Sequence, residues 1–212
     1  MLRRVLIALA LPLFLAACGG ADNRWASDEE VRSARYVSAE QPSISLITVI
    51  GLARGEGGHS ALLVNGSQQV IFDPAGSFVH PRAPERHDVL YGISPQMRNV
   101  YIDYHARDIP GQRYYVTVDT VPVSREVADA AIRAAEANGP VNKAFCAVGV
   151  SSVLRKTPGF QGAPGGFSPL KLRAWFKTVP GVTTAEYLDG DPRLVHGDLL
   201  KMKDGSLRTY DR

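Results

Sequence analysis

Cysteine and histidine are the clearest candidates for chemistry in this chain of 212 residues. The sequence has two cysteines, Cys18 and Cys146, and the second begins the segment CAVGVSSVL. Apolar residues recur there at helical spacing, so we expect Cys146 in the first turn of a helix. The exposed N–H groups and dipole of a helix N-terminus lower the pKa of a thiol and favour the nucleophilic thiolate. The structural alternative is a small buried side chain, because free cysteine is among the most buried residue types.

A thiolate that attacks a carbonyl group needs a base, and five histidines are available: His59, His80, His87, His105 and His196. His59 is the best placed, because it follows the glycine-rich RGEGG and begins HSALLV, a predicted strand. Asp73 ends the next apolar segment, QVIFD, and Asn65-Gly66 between the two segments predicts a hairpin. This hairpin brings Asp73 beside His59, where a carboxylate would fix the imidazole tautomer. A surface histidine and a turn-forming Asp73 before Pro74 are the ordinary structural alternatives.

Other reaction types have less support in the sequence. The histidines and acidic residues show neither HExxH nor paired-cysteine spacing, so we expect no metal and no cofactor. No G-x-S-x-G elbow for serine chemistry occurs. Tyr101, Tyr104, His80 and His87 could line a cleft, although surface and core roles are more common for such residues.

The elements that must position these residues are predicted from apolar spacing and turn signals. Strands are predicted over 44–53, 59–64, 69–73, 99–106 and 114–121, with short strands or edges in AEYLDGD and DLLKMKDG. Helices are predicted near 28–34, after Ser124, from Cys146 and after Ser168-Pro169. The expected fold class is α+β, an antiparallel sheet with helices packed on it.

The first residues have the pattern of an export signal. Arg3 and Arg4 precede an apolar run that ends in LAAC, which is similar to a bacterial lipobox. We therefore expect a signal peptide over 1–17, lipidation of Cys18, a flexible tether over 18–43 and one domain over 44–212. The acyl chains would anchor the protein to a membrane, and Gly19 after the lipidated cysteine favours the outer membrane, facing the periplasm.

The charge gives little indication of a nucleic-acid partner. Removal of Arg3 and Arg4 with the signal leaves 22 basic and 21 acidic residues, a net charge of +1. The remaining chain has no Lys/Arg cluster interleaved with aromatic residues, so nucleic-acid binding is not supported.

The segments GHSALLV…QVIFD and, later, FCAVGVSSVL…TPG…SPLKLRAWF together resemble the circularly permuted papain-like cysteine hydrolases. These form the branch of the NlpC-type clan that includes lecithin:retinol acyltransferase-like proteins, in which the histidine strand precedes the cysteine helix. The resemblance covers about residues 44–178 and implies that Cys146 is the nucleophile, His59 the general base and Asp73 the orienting residue. Phe145 differs from the polar residue that usually precedes the family's cysteine.

The function implied is acyl transfer through a thioester at Cys146. A cell-envelope amide such as a peptidoglycan stem peptide is the expected substrate. Two alternatives stay open: hydrolysis or transfer of a lipid or protein acyl ester or thioester, and an inactive binding or scaffolding lipoprotein that kept only the fold.

Overall fold

An antiparallel β-sheet forms the centre of the fold. A computed structural model describes residues 25–194, 200–201 and 207–208. The strands are β1 (Ser43–Gly51), β2 (Gly57–Asn65), β3 (Gln69–Phe72), β4 (Glu85–Arg86), β5 (Val89–Leu90), β6 (Asp108–Ile109), β7 (Gln112–Pro122), β8 (Thr183–Tyr187), β9 (Leu200–Lys201) and β10 (Leu207–Arg208). The helices are α1 (Asp28–Ser33), α2 (Pro95–His105), α3 (Arg125–Glu136), α4 (Cys146–Arg155) and α5 (Pro169–Phe176). The expected α+β class, with an antiparallel sheet and packed helices, is confirmed.

Strand β1 lies in the middle of the sheet and is covered on both faces. The main sheet has the order β4-β5-β3-β2-β1-β7-β6, and β8 also pairs with β7. Ile44 and Leu46 point into a core shared with α3, α4 and α5. Ile47 and Val49 point into a second core, shared with α2. Burial on both faces explains why the β1 sequence is almost continuously apolar.

Most of the predicted elements are confirmed. The hairpin of β2 and β3 pairs Leu62 with Phe72 and Asn65 with Gln69. Strand β7 covers the predicted segment 114–121, β8 overlaps the predicted segment AEYLDGD, and β9 lies within DLLKMKDG. Helix α3 is capped by Ser124, and α5 begins at Pro169 after its cap Ser168.

The predicted strand over 99–106 is wrong, because this segment belongs to helix α2. The Ser94 side chain accepts a hydrogen bond from the N–H of Met97, and Pro95 occupies the first helical position. Met97 and Tyr101 are four residues apart and both are buried against the second core. One buried helical face therefore prevails over the β-branched composition of the segment.

The described part of the predicted tether, residues 25–43, contacts the domain. The N–H of Ala26 donates to the carbonyl of Glu85, and that of Gln69 donates to the carbonyl of Tyr36. Val31 in α1 packs against the first core. Residues 25–43 thus pack on the sheet instead of forming a free linker. The predicted signal peptide, Cys18 and His196 lie outside the described residues.

Candidate active site

His59 and Asp73 meet at one end of the β2–β3 hairpin. His59 is near the start of β2, and Asp73 directly follows the last residue of β3. The His59 Nε2 lies 2.6 Å from the Asp73 Oδ1, and their side chains are 14% and 4% exposed. The hairpin brings His59 and Asp73 together just beyond the last paired residues, Leu62 and Phe72.

Asp73 has a second donor on the helix behind it. The hydroxyl of Tyr101, in α2, donates to the same Oδ1 at 2.7 Å, and Tyr101 is fully buried. Gly76 closes the other side, since a Cβ there would lie 1.8 Å from the Asp73 Oδ2. The carboxylate is thus held by two hydrogen bonds and by the close backbone of Gly76.

Cys146 reaches this pair from the opposite face of the sheet. It is the first residue of α4, as predicted, and the preceding Phe145 gives no side-chain cap. Strand β3 ends at Phe72, which pairs with Leu62, so the part of β2 before Leu62, including Ser60, has no β3 partner on that side. The thiol faces this gap, where the imidazole of His59 and the backbone N–H groups of Ser60 and Ala147 are close enough to lower its pKa. Because His59 Nε2 faces Asp73, the Nδ1 is the ring nitrogen left for the thiol.

These contacts favour an ion pair between the thiolate and the imidazolium ring. Burial alone would lower the pKa of His59, but Asp73 and Cys146 outweigh it and raise this pKa to about 10. Burial acts to raise the pKa of the Cys146 thiol, yet His59 and the two N–H groups lower it below its ordinary value. Burial likewise opposes ionisation of Asp73, and the charge of His59 reverses the effect, so its pKa is lowered. At neutral pH the ionised forms of His59 and Asp73 are favoured, and their charges shift the Cys146 thiol toward the thiolate.

His105 adds a second imidazole beside the first. Its ring is stacked on that of His59, with centroids 5.7 Å apart and planes 9° apart. Its Nδ1 lies 2.9 Å from the carbonyl oxygen of Tyr101. A carbonyl only accepts, so Nδ1 carries the proton and Nε2 keeps a lone pair. Burial, with the charge of His59, lowers the pKa of His105 to about 4, so this ring is neutral at pH 7.

Asp88 ties together the two segments that carry Asp73 and Cys146. Its carboxylate accepts hydrogen bonds from the N–H of Ala75, at 3.1 Å, and of Val141, at 2.9 Å. Its own carbonyl accepts from the N–H of Asp73. Asp88 therefore fixes the turn after β3 against the loop that leads to α4.

A cleft of about 330 Å³ opens beside the histidines. It is lined by His59, His105, Ser77, Tyr104, Gln112 and Tyr114, among others. Cys146 is 6% exposed and does not belong to this lining. The cleft thus gives access to the two imidazole rings, while the sulfur lies just beneath the surface.

The three residues predicted from the sequence, Cys146, His59 and Asp73, are brought together in this structure. His80 lies elsewhere and accepts from the N–H of Arg82, and His87 contacts Trp25. Of the tyrosines considered for a cleft, Tyr104 lines one, whereas Tyr101 is buried against Asp73.

Sequence reasoning missed the roles of Tyr101 and His105 at the site. Two features of the sequence together indicate these roles. Ser94-Pro95 is a helix-start signal, and Tyr101 and His105, which follow it, are four residues apart and so share a helix face.

Comparison with protein-family models, curated proteins and solved structures gives no significant match to this chain. Within the described ranges, none of the helices has the length and apolar character that crossing a membrane requires.

Proposed function

We propose that this chain is a cysteine hydrolase of the bacterial cell envelope with a permuted papain-like fold. The observation that carries the proposal is the placement of Cys146 beside His59, whose ring is hydrogen-bonded to Asp73. In this series each group prepares the next one: the carboxylate favours the charged ring, and the charged ring favours the thiolate. A thiolate beside an imidazolium ring is the activated form of a cysteine nucleophile.

Acylation begins with attack of the Cys146 thiolate on the carbonyl carbon of the substrate. A carbon–sulfur bond forms, and the carbonyl oxygen takes the negative charge. The N–H of Cys146 is the first of α4 and has no acceptor within the helix, so it is available to this oxygen. His59 then gives its proton to the departing amine or alcohol, which leaves as the carbonyl re-forms and yields a thioester.

Deacylation reverses these roles. His59, now neutral, takes a proton from a water molecule as its oxygen attacks the thioester carbon. The carbon–sulfur bond breaks, the acid product leaves, and the thiolate–imidazolium pair is restored. Asp73 keeps the ring in one tautomer throughout, because its hydrogen bond to Nε2 leaves Nδ1 for proton transfer.

The substrate we propose is an amide of the cell envelope, such as a peptidoglycan stem peptide. The support is the N-terminal sequence, whose export pattern and LAAC segment indicate a lipid-anchored protein of the outer membrane. Lipidation at Cys18 would keep the site within reach of envelope substrates.

A second candidate function has one specific observation in its favour. Phe145, directly before Cys146, and Phe167 are 40% and 63% exposed, with ring centroids 5.0 Å apart. Exposed aromatic pairs are uncommon on soluble surfaces and suit an apolar ligand. In a lipid or protein acyl ester or thioester, the apolar ligand would be the acyl chain, which would lie beside the Cys146 nucleophile.

The test uses the full chain in detergent micelles and a Cys146→Ser variant prepared in the same way. Each is incubated in parallel with muropeptides from a cell-wall digest and with phospholipid vesicles, and products are identified by mass spectrometry. We expect new amide-cleavage products from the muropeptides that the serine variant does not form.

Thiol-dependent products from the vesicles alone would favour the acyl ester alternative. Identical products from both proteins with both substrates would overturn the hydrolase and leave an inactive binding or scaffolding protein.

A further inference from the structure

Two imidazoles and one carboxylate converge beside the cleft, and this set can do more than activate a thiol. A ring nitrogen of His59, a ring nitrogen of His105 and a carboxylate oxygen of Asp73 all lie within 4.8 Å of one another. Two histidines with one carboxylate are a frequent three-ligand set for zinc, with water in the fourth position. Imidazole ligands select zinc, copper or nickel over magnesium and calcium.

His105 is oriented as a metal ligand would be. Its Nδ1–H donates to the carbonyl of Tyr101, which leaves the lone pair on Nε2. Metal-binding histidines almost always donate their other ring N–H to a carbonyl or carboxylate, which fixes both the tautomer and the ring orientation. Among the described residues, none forms a hydrogen bond with the Nε2 of His105, and the hydrolase mechanism gives this nitrogen no role.

Small side-chain movements would complete the site. A tetrahedral ion with bonds of about 2.1 Å places its ligand atoms about 3.4 Å apart. His59 Nε2 and Asp73 Oδ1 are 2.6 Å apart and would separate by about 0.8 Å. His105 would approach by about 1.4 Å at most from the 4.8 Å limit. The cleft lined by both histidines gives the ion a path from solvent.

We propose that His59, Asp73 and His105 bind a divalent transition-metal ion of the zinc class, which replaces the hydrogen bond between His59 and Asp73. The ion takes the place of the proton on His59 Nε2, and this proton is released to solvent, with no change of oxidation state. Binding itself does not depend on the proposed function. Its consequence does: a hydrolase that needs the His59–Asp73 contact is switched off while the ion is bound.

The test measures zinc binding to the full chain in detergent micelles, by competition with a chromophoric chelator. We expect one Zn²⁺ per chain and no competition from Mg²⁺. His105→Ala should weaken Zn²⁺ binding at least tenfold. His105→Asn should do the same, and its amide can still donate to the Tyr101 carbonyl, which guards against misfolding. The matched control His87→Ala removes an exposed histidine and should bind as the unaltered chain does.

Two further variants identify the ligands. Cys146→Ala and Cys18→Ser should both retain zinc binding, because no thiol belongs to the proposed site. Absence of binding by the unaltered chain would overturn the inference, as would loss of binding with Cys146→Ala but not with His105→Ala. Either result would reject the zinc site and leave the proposed hydrolase function unaffected. Zinc binding without thiol-dependent products would reject the hydrolase function and leave the zinc site unaffected.

Discussion

Replacing Asp73 by asparagine removes the negative charge that faces His59 and keeps the size of the side chain. The asparagine carbonyl oxygen can still accept from His59 and from Tyr101, so the main change is electrostatic. Without that charge, burial lowers the pKa of His59, and the neutral ring no longer stabilises the Cys146 thiolate. We therefore expect the pKa of Cys146 to rise in this variant.

The size of the effect follows from the charge preference of the site. The pKa of His59 is about 10, compared with 6.5 for an unperturbed histidine. One pKa unit corresponds to about 1.4 kcal/mol, so the site favours the charged ring by about 5 kcal/mol. Loss of only a third of this preference, about 1.7 kcal/mol, corresponds to a change of more than tenfold in the equilibrium between thiol and thiolate. We expect Asp73→Asn to slow alkylation of Cys146 at pH 7 at least tenfold.

The assay follows iodoacetamide alkylation from pH 5 to 9, by mass spectrometry of the peptide that contains Cys146. The unaltered chain should react faster than a free model thiol near neutral pH, and Asp73→Asn should move the midpoint of the profile upward. Asp108→Asn is the matched control, because Asp108 is exposed and paired with Arg113 away from the site. An unchanged profile for Asp73→Asn would refute the electrostatic reasoning.

Three further predictions concern the surroundings of Asp73. Gly76→Ala should slow thiol alkylation at least tenfold, because its Cβ would lie 1.8 Å from the Asp73 Oδ2, whereas Gly162→Ala, with 3.6 Å to its nearest neighbour, should not. Tyr101→Phe should lower the free energy of unfolding in urea by about 2 kcal/mol, since it removes a buried hydrogen bond to a charged group; unchanged stability would contradict this role. The pKa of His105 is lowered by burial from 6.5 to about 4 in the folded chain. Between these pH values the unfolded chain binds more protons than the folded chain, so the free energy of unfolding should fall as the pH is lowered. Urea titrations at pH 7 and 5 should show a smaller loss for His105→Gln, and an equal loss would exclude His105 as its source.

The contact between His59 and Asp73 could be predicted because the sequence signals for the β2–β3 hairpin are local. Asn65-Gly66 between two apolar segments sets the register that brings His59 to Asp73. The helix start at Cys146 follows from apolar spacing in the same way. Only the packing of α4 across β2 decides that the thiol reaches His59, and no local pattern encodes that contact.

The contribution of helix α2 to the site was not predicted, because the residues of segment 99–106 are compatible with both helical and strand spacing. Its β-branched and aromatic residues suit a strand, whereas the helix start at Ser94-Pro95 lies outside that window. In a strand, Tyr101 and His105 would be separated by four residues of extended chain. In the helix they are about one turn apart on the same face, and their rings are in contact. Asp88 was missed for another reason, since its φ of 64° and its bonds to distant N–H groups depend on tertiary packing.

The feature on which the proposed function depends is a Cys146 thiolate paired with the charged ring of His59. Its most direct measurement is the ultraviolet absorbance of the thiolate during a pH titration of the full chain, with Cys146→Ala as the blank. We expect a midpoint below the ordinary thiol value of about 8.5, and a rise of this midpoint in His59→Ala. A midpoint at or above the ordinary value, with no response to the loss of His59, would contradict it.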